Sequence, residues 1–146
     1  NAHYLANELC QIEGIKQAGV IDAMAELIMR LGESSPFIMY SVLLWASVLF
    51  SAFVDNIPFV AAMLPVASII AGRMGIEPYV LYFGLLCGAT LGGNLTPIGA
   101  SANIMAIGIL KKHGYNVSNK QYMRIGIPYT LAAVTTAYAL VWLIWR

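Results

Sequence analysis

The stretch that decides the fold is Ser51-Ala52-Phe53-Val54-Asp55-Asn56-Ile57-Pro58-Phe59, which separates two apolar runs. Within it, Asp55 is the only acidic residue between Glu33 and Glu77. An ionisable side chain at membrane depth is costly, so it is usually retained to handle an ion, a proton or a substrate. The stretch therefore points to an ion-handling role inside a membrane.

The same stretch predicts a turn between two helical arms. Residues 37–54 carry no charge, and the apolar run resumes at residues 59–71, which is too short to cross a bilayer untilted. Pro58 has no amide to donate and disfavours helical backbone in the residue before it. We therefore predict a re-entrant hairpin over residues 34–72, with its tip at residues 55–58.

The composition places the whole chain in a membrane. The 146 residues are 60% hydrophobic and 10% charged, whereas a soluble domain has about 25% charged residues. A crossing uses about 20 apolar residues, so only a handful of crossings fit. The net charge of +1 comes from scattered basic residues, which excludes the basic stripe typical of nucleic-acid binding.

The remaining organisation follows from the apolar runs and their breaks. Residues 1–12 form a polar stub that we interpret as a truncation or a gap, and residues 13–33 predict an amphipathic helix at the lipid interface. Residues 78–112 predict a transmembrane helix broken at residues 92–101, where Gly, Asn and Pro cluster. A loop over 113–124 then leads to a C-terminal transmembrane helix at 125–146 with terminal Trp residues.

Loop charge predicts the orientation. Residues 111–124 contain Lys111, Lys112, Lys120 and Arg124, and positive loops face the cytoplasm. We therefore expect this loop on the cytoplasmic side of a plasma (inner) membrane.

Two breaks in helices at membrane depth predict a shared polar cavity, because unwound backbone must be buried in protein or face water. Half-helix ends offer free carbonyls to a cation. The carbonyls near Phe53 and Val54, with the side chains at the two breaks, can surround a hard cation such as sodium. A proton on the acidic residue is the competing coupling ion. The candidate side chains are those of Ser51, Asp55, Asn56, Asn94, Thr96, Ser101 and Asn103, with sodium expected at Asp55, Asn56, Ser101 and Asn103.

Simpler roles compete with ion binding. Asp55 and Asn56 suit helix caps for the arm that begins at Pro58, and Ser101 and Asn103 have the same ambiguity.

A glycine recurs at every fourth residue, which favours close helix packing rather than chemistry. These glycines are Gly84, Gly88 and Gly92. The sequence carries no nucleophile triad, zinc motif or phosphate loop, so we do not expect an enzyme.

Taken together, the two motifs are similar to those of a known superfamily. Residues 51–59, followed by Gly92-Gly93-Asn94-Leu95-Thr96-Pro97-Ile98-Gly99-Ala100-Ser101-Ala102-Asn103, resemble the ion transporter superfamily over residues 14–146. The nearest branch contains arsenite permeases, D-type sodium/proton antiporters and the melanosomal P protein, and the citrate and dicarboxylate symporters are more distant. The resemblance implies an all-α inverted-repeat transporter, of which this chain is the C-terminal half, so the partners are the missing N-terminal half and, in a homodimer, a second copy.

The resemblance also carries implications for single residues. In the dicarboxylate branch the hairpin tip has Ser-Asn-Thr, whose Asn matches Asn56, whereas Asp55 and Ile57 replace the Ser and the Thr. That departure weakens a carboxylate substrate. The second loop of the superfamily implies sodium or substrate contact at Gly99, Ala100, Ser101 and Asn103.

The sequence thus predicts a secondary active transporter that moves a small ion by alternating access, coupled to sodium or protons. Sodium/proton antiport or arsenite-type anion efflux is favoured. The alternatives are a sodium-coupled di- or tricarboxylate symporter and a membrane scaffold subunit that transports nothing.

Overall fold

The computed structural model describes residues 35–145 together with the isolated positions Glu26 and Arg30. The predicted stub at 1–12 and the interfacial helix at 13–33 lie outside the described residues, apart from those two exposed helical positions. The described part is all helical in its regular structure and has five helices. These are α1 (Pro36–Ser51), α2 (Asn56–Met74), α3 (Tyr79–Gly92), α4 (Ser101–Lys112) and α5 (Asn119–Trp145).

Helix α1 begins where the sequence supplies its N-terminal signals. The Ser35 hydroxyl accepts a hydrogen bond from the Phe37 amide at 3.3 Å, and Pro36 occupies the first turn. The helix ends at Ser51, before the apolar run ends at Val54. Its 16 residues are therefore fewer than the run of apolar residues suggested.

Helix α2 is longer than the predicted arm at residues 59–71. It starts at Asn56 because Pro58 lies in the first turn, where a missing amide breaks no helical hydrogen bond. It continues to Met74 and ends at Gly75, whose φ of 65° is the left-handed conformation that glycine adopts freely. With 19 residues it is about 28 Å long, so the expectation that this arm is too short to cross was wrong by length.

Helix α5 begins at Asn119 rather than at residue 125. The Ser118 hydroxyl accepts from the Gln121 amide at 3.2 Å, and the Gln121 side-chain oxygen accepts from the Ser118 amide at 3.1 Å. This reciprocal pair is a capping box, and it starts the helix within the stretch predicted as loop. By length and composition, α2 and α5 are the two described helices able to cross a membrane.

Helix α3 is the centre of the packing, because it contacts α1, α2 and α5. Its three-glycine stripe faces α1. A Cβ at Gly88 would lie 2.5 Å from the Leu44 carbonyl oxygen, and one at Gly92 would lie 2.5 Å from that of Val48. Since residue numbers rise together along both helices, α1 and α3 run parallel, and the breaks that follow them lie at the same level.

Aromatic side chains form the packing contact between α1 and α5. The Tyr40 hydroxyl donates to the Tyr138 carbonyl at 3.0 Å, and the Ser41 and Tyr138 hydroxyls lie 2.6 Å apart. The Phe37 ring meets the Trp142 ring edge to face at 4.8 Å between centroids. Aromatic pairs of this kind contribute about 0.5–1.5 kcal/mol each beyond the buried area.

Helix α4 differs from the others. None of its residues, all of which the structure describes, is buried. The exposed apolar side chains are those of Ile104, Met105, Ile109 and Leu110. The second half of the interrupted helix is thus apolar yet uncovered by the rest of the described chain.

Candidate functional site

The structure brings the two breaks together. The first break is residues 52–55 and the second is residues 93–100, and the parallel packing of α1 and α3 places them side by side. The Thr96 hydroxyl donates to the Ala52 carbonyl, a bond that joins one break to the other. Thr96 is 8% exposed, so this bond is largely shielded from water.

Asp55 makes the second bond between the breaks. It occupies the N-cap position of α2, but among the described residues its side chain makes no capping hydrogen bond. Its Oδ2 instead accepts a hydrogen bond from the Ser101 hydroxyl at the start of α4. The carboxylate of one break is therefore bound by the helix that follows the other, and the simple capping role for this pair does not apply in this conformation.

Ser51 and Asn56 connect the first break to α3. Ser51 is fully buried, and its hydroxyl lies 2.5 Å from the Ala89 carbonyl oxygen and 2.7 Å from Asn56 Oδ1. One hydroxyl proton serves these two acceptors in turn or is shared between them. A Cβ on Gly93 would lie 2.7 Å from Asn56 Oδ1, so this amide oxygen packs directly on the second break.

Asn103 holds the second break from inside α4. Its side-chain amide donates to the Gly93 carbonyl at 2.9 Å and to the Thr96 carbonyl at 3.2 Å. Both carbonyls belong to unwound backbone, and the Thr96 carbonyl accepts one further hydrogen bond, from the Gly99 amide at 3.4 Å. Asn103 therefore stabilises the unwound backbone of the second break. The sequence left open whether this residue caps a helix or binds an ion, and the contact seen here is a third role.

Three main-chain carbonyl oxygens converge on Gly99. A Cβ there would lie 2.6 Å from the Gly93 oxygen, 2.8 Å from that of Ala52 and 2.9 Å from that of Ser51. The sequence predicted converging carbonyls near Phe53 and Val54, whose side chains are exposed. The converging set lies one or two residues earlier because α1 unwinds at Ser51.

The other two predicted residues occupy less central positions. The Asn94 side chain donates to the Leu91 carbonyl at 3.4 Å and lines a separate cavity against the start of α5. Ala100 is the extended N-cap residue of α4, with φ of −147°. The junction of the breaks thus gathers most of the predicted residues, whereas Asn94 faces away toward α5.

Sequence analysis missed the contributions of Ala52, Gly93 and Gly126. Gly93 was visible as part of a double glycine, which indicates close backbone approach. A Cβ on Gly126 would lie 2.7 Å from the Asn94 carbonyl oxygen, so α5 touches the second break at that point. Nothing in the sequence marks Ala52, because it contacts the other break through its backbone carbonyl, a group that every residue has.

The donor set at the junction is chemically specific. Hydroxyl, carboxylate, amide and carbonyl oxygens are ligands for hard cations such as sodium rather than for soft metals. Among the described residues, no group of three His, Cys, Asp or Glu side chains could hold a transition metal. The junction thus gathers oxygen donors of the kind that hold small cations, and these donors come from both helix breaks.

Comparison with known proteins identifies the class. The family model of the citrate transporters, CitMHS, matches residues 11–146. The chain is 40% identical to the P protein of Mus musculus over 114 residues, which cover 76% of this chain and 14% of that protein. It is 37% identical to the human P protein over 134 residues, which cover 90% of this chain and 16% of that protein.

A bacterial relative covers the chain most fully of the three. The 46 kDa membrane protein of Mycobacterium leprae is 30% identical over 142 residues, which cover 96% of this chain and 33% of that protein. No solved structure matches the chain. The chain therefore spans a third or less of the length of these curated relatives.

These matches define an integral membrane protein of a transporter family. The chain belongs to the citrate transporter (CitMHS) family of the ion transporter superfamily. The resemblance noted in the two break motifs is thereby confirmed, including its P-protein branch.

Proposed function

We propose that this chain is the C-terminal half of a secondary active transporter that moves a small ion by alternating access. In this proposal the coupling ion is sodium or a proton, and it binds where the two breaks meet. Sodium/proton antiport or arsenite-type anion efflux is the favoured activity. An isolated half offers no alternating access, so the missing N-terminal half completes the pathway, and a homodimer is the expected assembly.

The observation that carries the proposal is the hydrogen bond from the Ser101 hydroxyl to the Asp55 carboxylate. A proton on the carboxylate, or a sodium ion coordinated by the carboxylate and by the Ser101 hydroxyl oxygen, would weaken or reorient this hydrogen bond. Ion binding would therefore change a bond between two helix breaks rather than a bond within one helix. Such a differential contact is what ion coupling requires, because a ligand shifts a conformational equilibrium only through unequal affinity for its states.

Further support comes from the supply of oxygens around the acidic group. The Asn56 amide oxygen and the carbonyls of Ser51 and Ala52 lie within the same junction. A sodium ion uses such neutral oxygens together with one carboxylate. Sodium would then be held by Asp55, Asn56, Ser101 and Asn103, with Thr96, Gly99 and Ala100 shaping the second break.

A sodium-coupled citrate symporter is the second candidate, because the matching family is described as citrate transporters. The residue at position 55 argues against it, since Asp55 stands where the dicarboxylate branch has Ser. A direct comparison of substrates distinguishes the two.

The test is ion flux through the full-length transporter reconstituted in vesicles. Asp55→Asn is expected to lower sodium- or proton-driven flux at least about tenfold, because a charge-assisted contact is worth about 1.5–3 kcal/mol. Glu77→Gln is the matched control, since Glu77 is the other acidic residue in residues 35–145 and lies exposed in the turn before α3. Flux should be measured with sodium, arsenite and citrate in turn.

Equal flux in the wild type and Asp55→Asn would remove this carboxylate from the mechanism. Loss of flux in both variants would point to a general effect of charge. Citrate uptake that survives Asp55→Asn would favour the symporter instead.

A further inference from the structure

A cavity lies apart from the junction of the breaks, between the loop after α4 and the first turns of α5. Its volume is about 830 Å³. Its walls include Tyr115, Tyr122 and Tyr129, the Arg124 side chain and, from the second break, Asn94. The sequence predicted residues 113–124 only as a connecting loop, which does not explain a cavity of this size.

The cavity lies at the boundary between water and lipid. Helix α5 carries its last charged residue before the C-terminus at Arg124, and residues 125–145 contain none. The boundary of the apolar layer therefore falls next to Arg124, within the cavity wall. Tyrosine is enriched at this level of a membrane because its ring is apolar and its hydroxyl is polar.

The lining follows the same division. Arg124 and Asn116 belong to the polar stretch that precedes the uncharged residues 125–145, whereas Ile125 and Tyr129 belong to that uncharged stretch. Ile125 is 75% exposed, which is a large apolar surface to leave uncovered. The described residues thus leave a cleft with one cationic, hydrogen-bonding end and one apolar end.

Among the described residues that line the cavity, none is a carboxylate that could neutralise Arg124. Among residues 35–145, no hydrogen bond or ion pair is made by the Arg124 guanidinium. Guanidinium groups present paired N–H donors that match a phosphate or carboxylate oxygen pair. The two ends together fit a molecule with an anionic head and an apolar tail.

We propose that this cavity binds an anionic phospholipid, with its phosphate on the Arg124 guanidinium and its acyl chain along Ile125 and Tyr129. The positive charge of Arg124 and the position of the cavity beside the uncharged stretch 125–145 favour this ligand over the others. A soluble anion would use only the polar end, and a purely apolar segment would leave the guanidinium unpaired.

Binding there would act on the second break as well. Gly126 lets α5 approach the Asn94 carbonyl, and both residues line the cavity. A lipid seated against both residues stabilises the contact between α5 and the break. Anionic lipid should therefore raise the stability of the whole transporter, and this site is distinct from the ion site at Asp55.

The experiment uses the purified full-length transporter in a neutral detergent. Its melting temperature is followed while phosphatidylglycerol, phosphatidylcholine or inorganic phosphate is added, because a ligand of the folded state raises stability. Phosphatidylglycerol is expected to raise the melting temperature more than either of the others. Arg124→Gln should weaken the apparent lipid affinity about tenfold, the effect of one charge-assisted contact.

Lys120→Gln is the matched control, since Lys120 is an exposed basic residue of the same helix outside the cavity lining. It should retain most of the lipid response. Val117→Trp provides an independent variant, because its ring occupies part of the cavity while leaving Arg124 in place, and it should also weaken the response.

Three results would overturn the proposal. A response to inorganic phosphate equal to that to phosphatidylglycerol would mean that the cavity takes a free anion. Equal losses in Arg124→Gln and Lys120→Gln would reveal general electrostatic attraction. A response to phosphatidylglycerol no greater than that to phosphatidylcholine would mean that another part of the transporter or a second copy covers the cleft.

Discussion

The two breaks in this protein are built differently. The first, residues 52–55, presents apolar side chains outward, with Phe53 69% exposed and Val54 44% exposed. In the second, residues 93–100, half of the residues are buried, namely Gly93, Thr96, Pro97 and Gly99. One break is thus the exposed end of two helices, whereas the other is a packed element.

The difference has a cause in the local hydrogen bonds. Both breaks contain backbone turns, in which the Leu95 amide donates to the Gly92 carbonyl at 3.0 Å and the Val54 amide donates to the Phe50 carbonyl at 3.0 Å. The second break is in addition held by the side chain of Asn103. The first break is attached to it through the bonds of Thr96 and Ser101. The second break therefore forms the base of the candidate site, and the first break packs against it.

The largest effect is expected at the point where the two breaks are closest. Gly99→Ala would place a Cβ within 3 Å of three carbonyl oxygens, and backbone atoms cannot rotate away as a side chain can. We expect the free energy of unfolding to fall by about 3 kcal/mol, at the upper end of overpacking effects. Thermal denaturation of the full-length protein measures this.

Gly108→Ala is the control, because a Cβ there meets nothing within 4 Å and alanine favours helix α4. Similar melting temperatures for the two variants would contradict the close contact between the breaks.

A smaller effect is expected when the brace of the second break is removed. Asn103→Ala leaves the Gly93 and Thr96 carbonyls without their side-chain donor, at a cost of about 2 kcal/mol. Asn119→Ala is the control at an exposed position. The melting temperature should fall only in the first variant, and an unchanged value would mean that the second break does not depend on its brace.

The smallest effect is expected for the bond between the breaks themselves. Thr96→Val keeps the shape of the side chain but removes the donor to the Ala52 carbonyl, which should cost about 1 kcal/mol. Thr90→Val, at an exposed position on α3, is the control. If Thr96→Val lowered the free energy of unfolding as much as Gly99→Ala, the second break would depend on its bond to the first break for its own stability.

The places where the helices unwind could be predicted, because Asp, Asn, Gly and Pro each alter backbone preferences locally. Helix ends were less predictable. The start of α5 was missed even though Ser118 and Gln121 form a capping box that the sequence displays. The C-terminal extent of α2 depended on where Gly75 takes its left-handed conformation, three residues after Gly72 first suggested a turn.

The sequence by itself determined that this is an apolar, helical chain with two unwound stretches, because composition and backbone preference are local properties. It also supplied most of the residues that meet at the junction of the breaks. Only the tertiary structure decided that Asp55 pairs with Ser101, that Asn103 braces its own break and that Asn94 faces α5. Those choices depend on the parallel register of α1 against the glycines of α3, and such a register arises from contacts between residues far apart in the chain.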